Sequence, residues 1–465
     1  MSNLYLNSGI AGLDELLHGG FLPNSNILIK GFPGTGKTTL GIEFVYQGIT
    51  RYNEPGIIIT FEQFPHQLYR DAANYGWELQ ELEKQGLLRV VCTSPEVLLD
   101  RTSNLLDDLV REIGAQRLVL DSLTQLGMVT GDQGDQRRLI YGICSGFKRM
   151  GLTTMLLQEA NSAPEQMSFT EFLVDTVIHL HFIESQGSRK RYIEITKSRG
   201  QDFDTGKFAF KFDTNGIRML RIAHPQVLPH YFSRFNWQQK LSSGVPGLDE
   251  ILPGGFLPGS TVLVEGDSGT GKSILGMQYL LQGFYEGDKG LILTTEYDAD
   301  LLHRYISTFS SPDLAKALLR KDIEVFDNFF SYVNVEEVMV KLVEKAEAGS
   351  IKRVVIDSVN SFAELAESNL VLKGHLRNFF RSLNLMGCTT LVILGEDAEA
   401  LRSQLQGIIR PLVQGQIKLS STLEKGKRKW LVEITKMKGG EFAPGIHRAE
   451  IGNHGLQVFR RLGRK

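Results

Sequence analysis

The sequence is poor in the features that mark disulfide-stabilised, secreted and membrane-spanning proteins. It has three cysteines among 465 residues, Cys92, Cys144 and Cys388, and none of them forms a C-x-x-C pair. An odd number of widely separated cysteines argues against a disulfide framework or a zinc site, so we expect buried, reduced thiols. No apolar run approaches the roughly 18 residues of a membrane span, and the start MSNLYLNSG lacks a signal-peptide pattern. These absences predict a cytoplasmic protein without a membrane span.

The sequence also lacks an excess of either charge. Lysine and arginine number 51 and aspartate and glutamate 53, which gives a net charge of −2. A nearly neutral chain has no bulk attraction for nucleic acid or for an anionic membrane, so neither is an expected partner. Hydrophobic residues make up 42% of the chain and charged residues 22%, proportions typical of a folded globular protein.

Two complete phosphate-binding loops are present, GFPGTGKT and GDSGTGKS. In the pattern G-x-x-x-x-G-K-[ST], glycines let backbone N–H groups surround phosphate oxygens, the lysine reaches the β- and γ-phosphates, and the hydroxyl ligates Mg²⁺. Each loop follows an apolar run and precedes a helical pattern, as the motif requires. The predicted ATP-binding residues are Gly31, Gly34, Thr35, Gly36, Lys37, Thr38 and Thr39, and Gly266, Gly269, Thr270, Gly271, Lys272, Ser273 and Ile274.

The two loops belong to two copies of one domain. Residues 8–38 align with residues 243–273 without a gap and share 19 of 31 positions. Because this displacement of 235 positions far exceeds a solenoid repeat, we predict a first domain over 1–222 and a second over 241–465. Residues 223–240 contain two prolines and an aromatic cluster, which predicts a linker. The aromatic residues either pack on a domain surface or form a docking segment.

Each copy alternates short apolar runs with amphipathic ones, which predicts βαβ units in a mostly parallel sheet flanked by helices. Ligands of such sheets bind beyond the carboxyl ends of the strands. The predicted strands are Ile27 to Lys30, Ile57 to Phe61, Leu88 to Cys92, Leu118 to Leu120, Thr154 to Leu157, Thr176 to Leu180 and Tyr192 to Thr196, and Val262 to Glu265, Leu291 to Thr295, Val354 to Ile356, Thr390 to Leu394, Gln416 to Leu419 and Trp430 to Thr435.

An aspartate ends one predicted strand in each copy, in RLVLDS with Asp121 and in RVVIDS with Asp357. An aspartate at this place can hold Mg²⁺ opposite the phosphate loop, together with Thr38 or Ser273. Capping of the following helix is the alternative role.

A glutamate follows the second strand of each copy, Glu62 and Glu296. Such a carboxylate can orient or deprotonate the water that attacks the γ-phosphate, and we predict this role for both. A surface glutamate favoured by a helix dipole is the alternative. The pairs Gln158-Glu159 and Glu396-Asp397, placed after the fifth strand, are candidates for sensing the γ-phosphate.

A basic turn recurs as TKSRG and TKMKG after a late strand. If the turn lies at the far edge of the sheet, its basic residues are poorly placed to contact the phosphate loop of their own domain. These residues are Lys197 and Arg199 in the first copy and Lys436 and Lys438 in the second. They fit a role at the nucleotide of a neighbouring subunit, like an arginine finger. A solvated basic turn is the alternative.

Together, SGIAGLDELLHGGFLPNSN with GFPGTGKT, the glutamate after the second strand, the LDS aspartate and the TK-x-[RK]-G turn resemble the RecA superfamily, and their duplication resembles the KaiC family within it. The resemblance implies two tandem RecA-like P-loop NTPase domains that form a double-ring hexamer. It also implies ATP between subunits, with Lys197, Arg199, Lys436 and Lys438 acting in trans.

The sequence departs from this family in two places. Gln63 follows Glu62 and Tyr297 follows Glu296, where the resemblance implies adjacent glutamates in the first domain. At the place of the family's phosphorylated Ser-Thr stand Arg410 and Pro411, which accept no phosphoryl group. Ser420, Ser421 and Thr422 are expected past the strand that begins near Gln416, which makes them poor substitutes.

The leading hypothesis is an ATP-hydrolysing, Mg²⁺-dependent hexameric switch that signals its nucleotide state to a protein partner. A serine/threonine autokinase is the second hypothesis. A DNA-dependent ATPase of the RecA class is the third, disfavoured by the neutral charge and by the lack of a basic-aromatic strand-binding loop.

Overall fold

The computed structural model describes residues 4–99, 104–128, 132–160, 169–185, 188–222, 239–295, 301–302, 312–327, 334–395, 399–424 and 427–460. The chain divides into two compact units, Met1–Arg221 and Ile222–Lys465. Most of the predicted linker, residues 223–238, lies outside the described residues.

The first unit alternates strands and helices along most of its length. Its strands are β1 (Asn26–Gly31), β2 (Gly56–Thr60), β3 (Leu88–Cys92), β4 (Arg117–Asp121), β5 (Thr153–Glu159), β6 (Thr176–Ser185), β7 (Ser188–Ser198), β8 (Lys207–Asp213) and β9 (Gly216–Met219). Its helices are α1 (Leu13–Leu16), α2 (Lys37–Tyr52), α3 (Pro65–Ala73), α4 (Leu79–Lys84), α5 (Pro95–Leu99), α6 (Leu105–Ile113), α7 (Leu123–Met128), α8 (Gln133–Arg149) and α9 (Phe169–Leu173).

These strands form one sheet in the order β3-β2-β4-β5-β1-β6-β7-β8-β9. The strands from β3 to β6 pair in parallel, and β6, β7, β8 and β9 pair antiparallel. Alternate residues of β1 enter two hydrophobic cores, with Ile27 and Ile29 in one and Leu28 in the other. Helices therefore cover both faces of the sheet, because successive side chains of a strand point to opposite sides.

The second unit repeats this architecture. Its strands are β10 (Thr261–Gly266), β11 (Gly290–Thr294), β12 (Ile323–Phe326), β13 (Arg353–Asp357), β14 (Thr389–Leu394), β15 (Gly415–Glu424), β16 (Lys427–Met437), β17 (Ile446–Gly452) and β18 (Gly455–Phe459). They form a sheet in the order β12-β11-β13-β14-β10-β15-β16-β17-β18. Its helices are α10 (Leu248–Ile251), α11 (Lys272–Glu286), α12 (Pro312–Leu319), α13 (Val335–Ala348), α14 (Asn360–Leu365), α15 (Asn369–Leu385) and α16 (Glu399–Ile409).

The prediction of two α/β domains with mostly parallel sheets is confirmed, and every predicted strand is present. Five strands were not predicted: β8, β9, β12, β17 and β18. Two expectations about strand ends were wrong. Ser420, Ser421 and Thr422 lie inside β15 rather than past it, because its pairing with β16 continues to Glu424. Gln158 and Glu159 are the last two residues of β5 rather than the residues after it, because they continue the pairing of β5 with β1.

Each unit has a fully buried arginine that links two segments of the chain, at the start of β4 in the first unit and of β13 in the second. Arg117 donates to the carbonyl oxygens of Asn7 and Phe44, both at 2.7 Å, and its guanidinium lies over the Phe44 ring. Arg353 donates to Ser242 O at 2.8 Å and stacks on the Tyr279 ring. Each arginine thereby fastens the segment before α1 or α10 to the helix that follows the phosphate loop.

The cysteines are unpaired, and Cys144 and Cys388 are buried while Cys92 is half-buried. Burial raises the pKa of the Cys144 and Cys388 thiols to about 12. Within the part of the chain that the structure describes, no helix combines the length and apolarity needed to cross a bilayer.

Candidate functional site

The first phosphate loop connects the carboxyl end of β1 to the start of α2. Gly34 and Gly36 have φ angles of 78° and 105°, in the left-handed region that glycine adopts without strain. A Cβ atom on Gly31 would lie 2.8 Å from Leu180 O, so a side chain there would separate β1 from β6. In the second loop a Cβ atom on Gly266 would lie 2.3 Å from Leu419 O. The glycines of the motif are therefore required by the backbone as well as by the ligand.

The motif lysines occupy equivalent positions in the two loops. Lys37 Nζ donates to Gly31 O at 2.9 Å and to Phe32 O at 3.1 Å. Lys272 Nζ donates to Gly266 O and to Asp267 O, both at 2.9 Å. Each ammonium group thus lies across its loop, among the backbone groups that the motif provides for phosphate.

The two residues predicted to hold Mg²⁺ in the first unit contact each other. Thr38 Oγ1 donates to Asp121 Oδ2 at 2.7 Å, although the two residues are 83 positions apart. Burial raises the pKa of the Asp121 carboxyl, and the Thr38 bond and the Lys37 charge oppose this rise. A hydroxyl and a carboxylate oxygen at the end of a buried strand suit Mg²⁺, which prefers oxygen ligands. These residues therefore fit the metal that the motif requires.

The second unit has the same arrangement of elements. Asp357 is buried at the end of β13, and Ser273 lies in the first turn of α11. In both units the peptide bond from the aspartate to the following serine is cis. Thr35 Oγ1 and Thr270 Oγ1 close equivalent turns on Phe32 O and Asp267 O, at 2.8 and 2.7 Å.

Glu62 lies just beyond the carboxyl end of β2 and is exposed. The Gln125 side-chain amide donates to Glu62 Oε1, which holds the carboxylate toward α7, the helix that follows β4. The charge of Glu62 also contributes to raising the pKa of Asp121. Sequence reasoning missed Gln125, because nothing in the sequence links it to Glu62. The second candidate base, Glu296, lies outside the described residues.

Glu159 ends β5 beside Gly31, its partner in the β1 register. Burial lowers the pKa of the Lys37 ammonium, and the carboxylates of Glu159 and Asp121 oppose this change. The backbone N–H of Glu159 donates to Thr124 Oγ1 at 3.0 Å. Glu159 therefore belongs to the same charged cluster as the phosphate-loop lysine.

The equivalent contact in the second unit is made by a glycine. Gly395 N donates to Asn360 Oδ1 at 2.8 Å, at the start of α14. The predicted counterparts of Glu159, Glu396 and Asp397, lie outside the described residues.

The basic turn of the first unit lies level with the amino end of β1, whereas its own phosphate loop begins at the carboxyl end of that strand. Ser198 pairs with Thr176, which pairs with Ile27 near the start of β1. The loop begins at Gly31, four residues and therefore about 13 Å further along β1. The turn cannot serve the loop of its own unit without crossing that distance.

Within each turn the first lysine contacts its own chain. Lys197 Nζ donates to Glu171 O at 2.5 Å and to Val174 O at 2.6 Å. Lys436 Nζ donates to Arg410 O and Val413 O, both at 2.7 Å. Burial lowers the pKa of both lysines. The first lysine of each turn therefore holds the segment that precedes β6 or β15.

The second basic residue of each turn is exposed. Arg199 Nη2 donates to Phe172 O at 2.8 Å, and the residue is exposed. Lys438 is also exposed, and its backbone N–H donates to Gln414 O at 2.9 Å. Of the four predicted trans residues, these two have the more accessible charges.

A pocket of about 290 Å³ lies beside the threonines of the first loop. Thr38, Thr39, Tyr75 and Trp77 are among its lining residues, and the Tyr75 hydroxyl hydrogen-bonds to Thr39. The rings of Tyr75 and Trp77 stack with centroids 4.8 Å apart. Aromatic walls next to a phosphate site suit the base and ribose of a nucleotide. Sequence reasoning missed these residues, since no motif marks them.

The outer side of the loop differs between the units. In the first unit, a Cβ atom on Gly36 would lie 2.3 Å from Phe212, and the Arg191 guanidinium lies 4.9 Å from the centre of that ring. In the second unit, Trp430 Nε1 donates to Gly269 O at 3.1 Å. The first loop is therefore bounded by the Phe212 ring and the second by the Trp430 indole.

Comparison with known proteins matches both units to one family. Residues 6–224 and 241–463 each match the family model described as ATPase: KaiC. The chain is 27% identical over 478 residues to the circadian clock oscillator protein KaiC of Parathermosynechococcus lividus, covering 97% of this chain and 84% of that protein. It is 30% identical over 374 residues to that of Thermostichus vulcanus, covering 77% and 70%. It is 25% identical over 468 residues to that of Acaryochloris marina, covering 97% and 87%.

Proposed function

The chain belongs to the KaiC ATPase family, and from this premise we propose that both units bind ATP with Mg²⁺ and hydrolyse it to ADP and phosphate. The observation that carries the proposal is the contact between Thr38 Oγ1 and Asp121 Oδ2, with Lys37, Glu62 and Glu159 around it. This cluster assembles the cation, the metal ligands and the carboxylates that phosphoryl transfer needs.

Each residue of the first-unit site has a separate role in the proposed reaction. Lys37 and the loop N–H groups hold the phosphates, and Thr38 and Asp121 hold the metal, which when bound neutralises charge on the β- and γ-phosphate oxygens. Glu62, oriented by Gln125, positions the attacking water and accepts its proton. The pocket beside Tyr75 receives the base and ribose.

We further propose that the protein assembles as a homo-hexamer in which each nucleotide lies between two subunits. The position of the basic turn supports this, because the turn lies far from its own phosphate loop. Arg199 and Lys438 then contact the neighbour's nucleotide, while Lys197 and Lys436 hold the turn in place. A nucleotide state shared between subunits is a suitable signal to a protein partner, since hydrolysis changes the contacts across every interface.

No described contact favours an autokinase. Arg410, at the place of the family's phosphorylated pair, forms an ion pair with Glu265 at 2.9 Å. Ser420, Ser421 and Thr422 are paired within β15 and β16.

Removal of the loop lysines tests nucleotide binding. Lys37→Ala and Lys272→Ala should each abolish ATP binding in one unit, and the double variant should bind none, because no other residue of the loop supplies that charge. The measurement is the ATP extracted per purified chain. Wild-type ATP content in the double variant would contradict the assignment.

Replacement of the predicted base tests hydrolysis. In the background Glu296→Gln, the change Glu62→Gln should lower phosphate release by about a hundredfold to ten-thousandfold while ATP stays bound. Glu81→Gln, at an exposed position of α4, is the control. Unaltered turnover in the Glu62→Gln protein would transfer the role to another carboxylate such as Glu159.

A further inference from the structure

An ion pair with a buried carboxylate stands at the same place in the two units, and its polarity is reversed between them. Lys30, the residue before the first glycine of the first loop, pairs with Glu171 at 2.7 Å. Glu265, the residue before the first glycine of the second loop, pairs with Arg410 at 2.9 Å. The carboxylate side chain is 5% exposed in one pair and 3% in the other, whereas the Lys30 side chain is 16% exposed and the Arg410 side chain 45%. The two units have kept the pairing and reversed the charges.

The strand register shows that the positions correspond. Lys30 is aligned with His179 of β6, and Glu265 is aligned with Lys418 of β15. Glu171 and Arg410 lie in the segments that lead into those two strands. A metal ion or a phosphate would require the same sign of charge in both copies. Because the signs are reversed, the pair cannot bind either ligand in both units. The shared property is therefore the link between the two segments.

The same segment is held from its other side by the basic turn. In the first unit, the side chain of Glu171 binds Lys30 while its backbone carbonyl accepts from Lys197 at 2.5 Å. In the second unit, the side chain of Arg410 binds Glu265 while its carbonyl accepts from Lys436 at 2.7 Å. One residue in each unit thus bridges the phosphate-loop strand and the basic turn.

We infer that Lys30–Glu171 and Glu265–Arg410 are positioning contacts that couple each phosphate loop to the turn that the same subunit presents to its neighbour. The inference rests on the proposed function, in which that turn contacts the next nucleotide. A displacement of the loop strand on ATP binding moves the charged residue of that strand, and its partner follows because separation would remove the cation from a buried carboxylate. In the second unit the Gln406 and Gln416 amides also donate to Glu265, at 3.1 and 2.7 Å, so the cation is one of several partners there. The pair thereby connects one nucleotide site to the next around the ring.

Charge reversal in the full-length protein tests the first pair. The background is Lys272→Ala, so that ATP binds at the first loop alone. In it, Lys30→Glu should lower the kcat of phosphate release by about tenfold, which is within the range of couplings between contacting residues. The dissociation constant of a fluorescent ATP analogue should change by less than about threefold. Adding Glu171→Arg installs the polarity of the second unit and should restore kcat to within about threefold of the parent. Lys30→Arg should behave like the parent.

Two controls separate coupling from folding. Glu81→Lys with Lys84→Glu reverses an exposed pair on α4 and should change nothing. If Lys30→Glu does not fold, Lys30→Gln with Glu171→Gln removes both charges and should lower kcat without loss of assembly, which native mass spectrometry measures.

The second pair is tested in the background Lys37→Ala. There, Glu265→Lys with and without Arg410→Glu should give the same pattern for the second site.

A second readout does not depend on hydrolysis. In the parent, ATP binding should change the hydrogen exchange of backbone amides in residues 169–175 and 196–200. Lys30→Glu should abolish that change, and the double reversal should restore it. A parent without this change, or a folded double reversal that recovers neither readout, overturns the inference. Loss of phosphate release in the parent with an intact exchange response contradicts the proposed function alone.

Discussion

At the scale of single residues, Glu43 of α2 shows how one contact has two chemical solutions in this protein. Its Oε2 accepts from Ile217 N at 2.8 Å, and burial raises the pKa of its carboxyl to about 8. In the second unit, Gln278 accepts from Leu456 N at the same distance. A neutral amide makes the bond there without any cost of charge.

The raised pKa predicts a specific pH dependence. Because the pKa is about 8 in the folded state and 4.5 in the unfolded chain, the folded state binds the proton more tightly, and this stabilisation is lost as the pH rises through that range. Each pKa unit corresponds to about 1.4 kcal/mol. Glu43→Gln should therefore stabilise the first unit at pH 8 by a few kcal/mol at most and leave it unchanged at pH 4.5.

Thermal unfolding against pH measures this effect, with hydrogen exchange of α2 amides to identify the transition of the first unit. The reciprocal variant Gln278→Glu is the matched control and should introduce the same pH dependence into the second unit. Parallel profiles for wild type and Glu43→Gln would show that folding does not shift the pKa of this carboxyl, and would contradict the prediction.

At the scale of elements, the helix after each phosphate loop is fitted to a buried arginine. A Cβ atom on Gly48 would lie 2.3 Å from Arg117 Nε, and one on Gly283 would lie 2.4 Å from Arg353 Cδ. Both glycines lie inside helices, where alanine is otherwise favoured by about 1 kcal/mol. The close approach of helix and arginine therefore outweighs helix propensity at these two positions.

Gly48→Ala should destabilise the first unit by about 1–3 kcal/mol, because the added methyl group displaces Arg117 from its carbonyl partners. Gly142→Ala and Gly146→Ala in α8 are the controls, since nothing lies within 4 Å of a Cβ atom at either glycine. These two changes should be neutral or stabilise by up to about 1 kcal/mol. Denaturant unfolding measures the free energy of unfolding of all three variants. Equal effects at the three positions would contradict the prediction that contact with Arg117 makes Gly48 necessary.

At the scale of the whole molecule, the proposed shared site ties hydrolysis to assembly. Arg199→Ala should lower first-unit turnover by about a thousandfold, the typical value of an arginine finger, without removing ATP from its own loop. Lys37→Ala chains lose the loop and keep the finger. A ring that contains both variants pairs an intact loop with an intact finger from its neighbour.

Phosphate release from the mixture, with the second unit silenced by Glu296→Gln, is the decisive measurement. Turnover above the sum of the two parents is expected, together with a fall in activity per chain on dilution below the assembly threshold. A monomer that hydrolyses at the full rate, or mixed rings without rescue, would contradict the shared site.

Much of this molecule is specified by local sequence chemistry. The phosphate loops and the strand-terminal aspartates follow from short patterns, because each depends on residues that are neighbours in the chain. The duplication follows from the recurrence of such a segment 235 positions further along. The central parallel strands are apolar runs that are buried on both faces, so they were predicted. The antiparallel strands β8, β9, β17 and β18 are half-exposed or short, and β12 has four residues, so their apolar signal is weak.

Other features depend on residues that meet only in the folded chain. Gln125 reaches Glu62 across 63 positions and Lys30 reaches Glu171 across 141, so no local pattern could reveal either contact. The exposure of Arg199 and the internal bonds of Lys197 also required the sheet register, since both residues carry the same charge in the same turn. Sequence determined which groups are present at the site, because that chemistry is local. Tertiary structure decided which of them hold the backbone and which face a ligand, because side-chain partners are set by how distant strands pair.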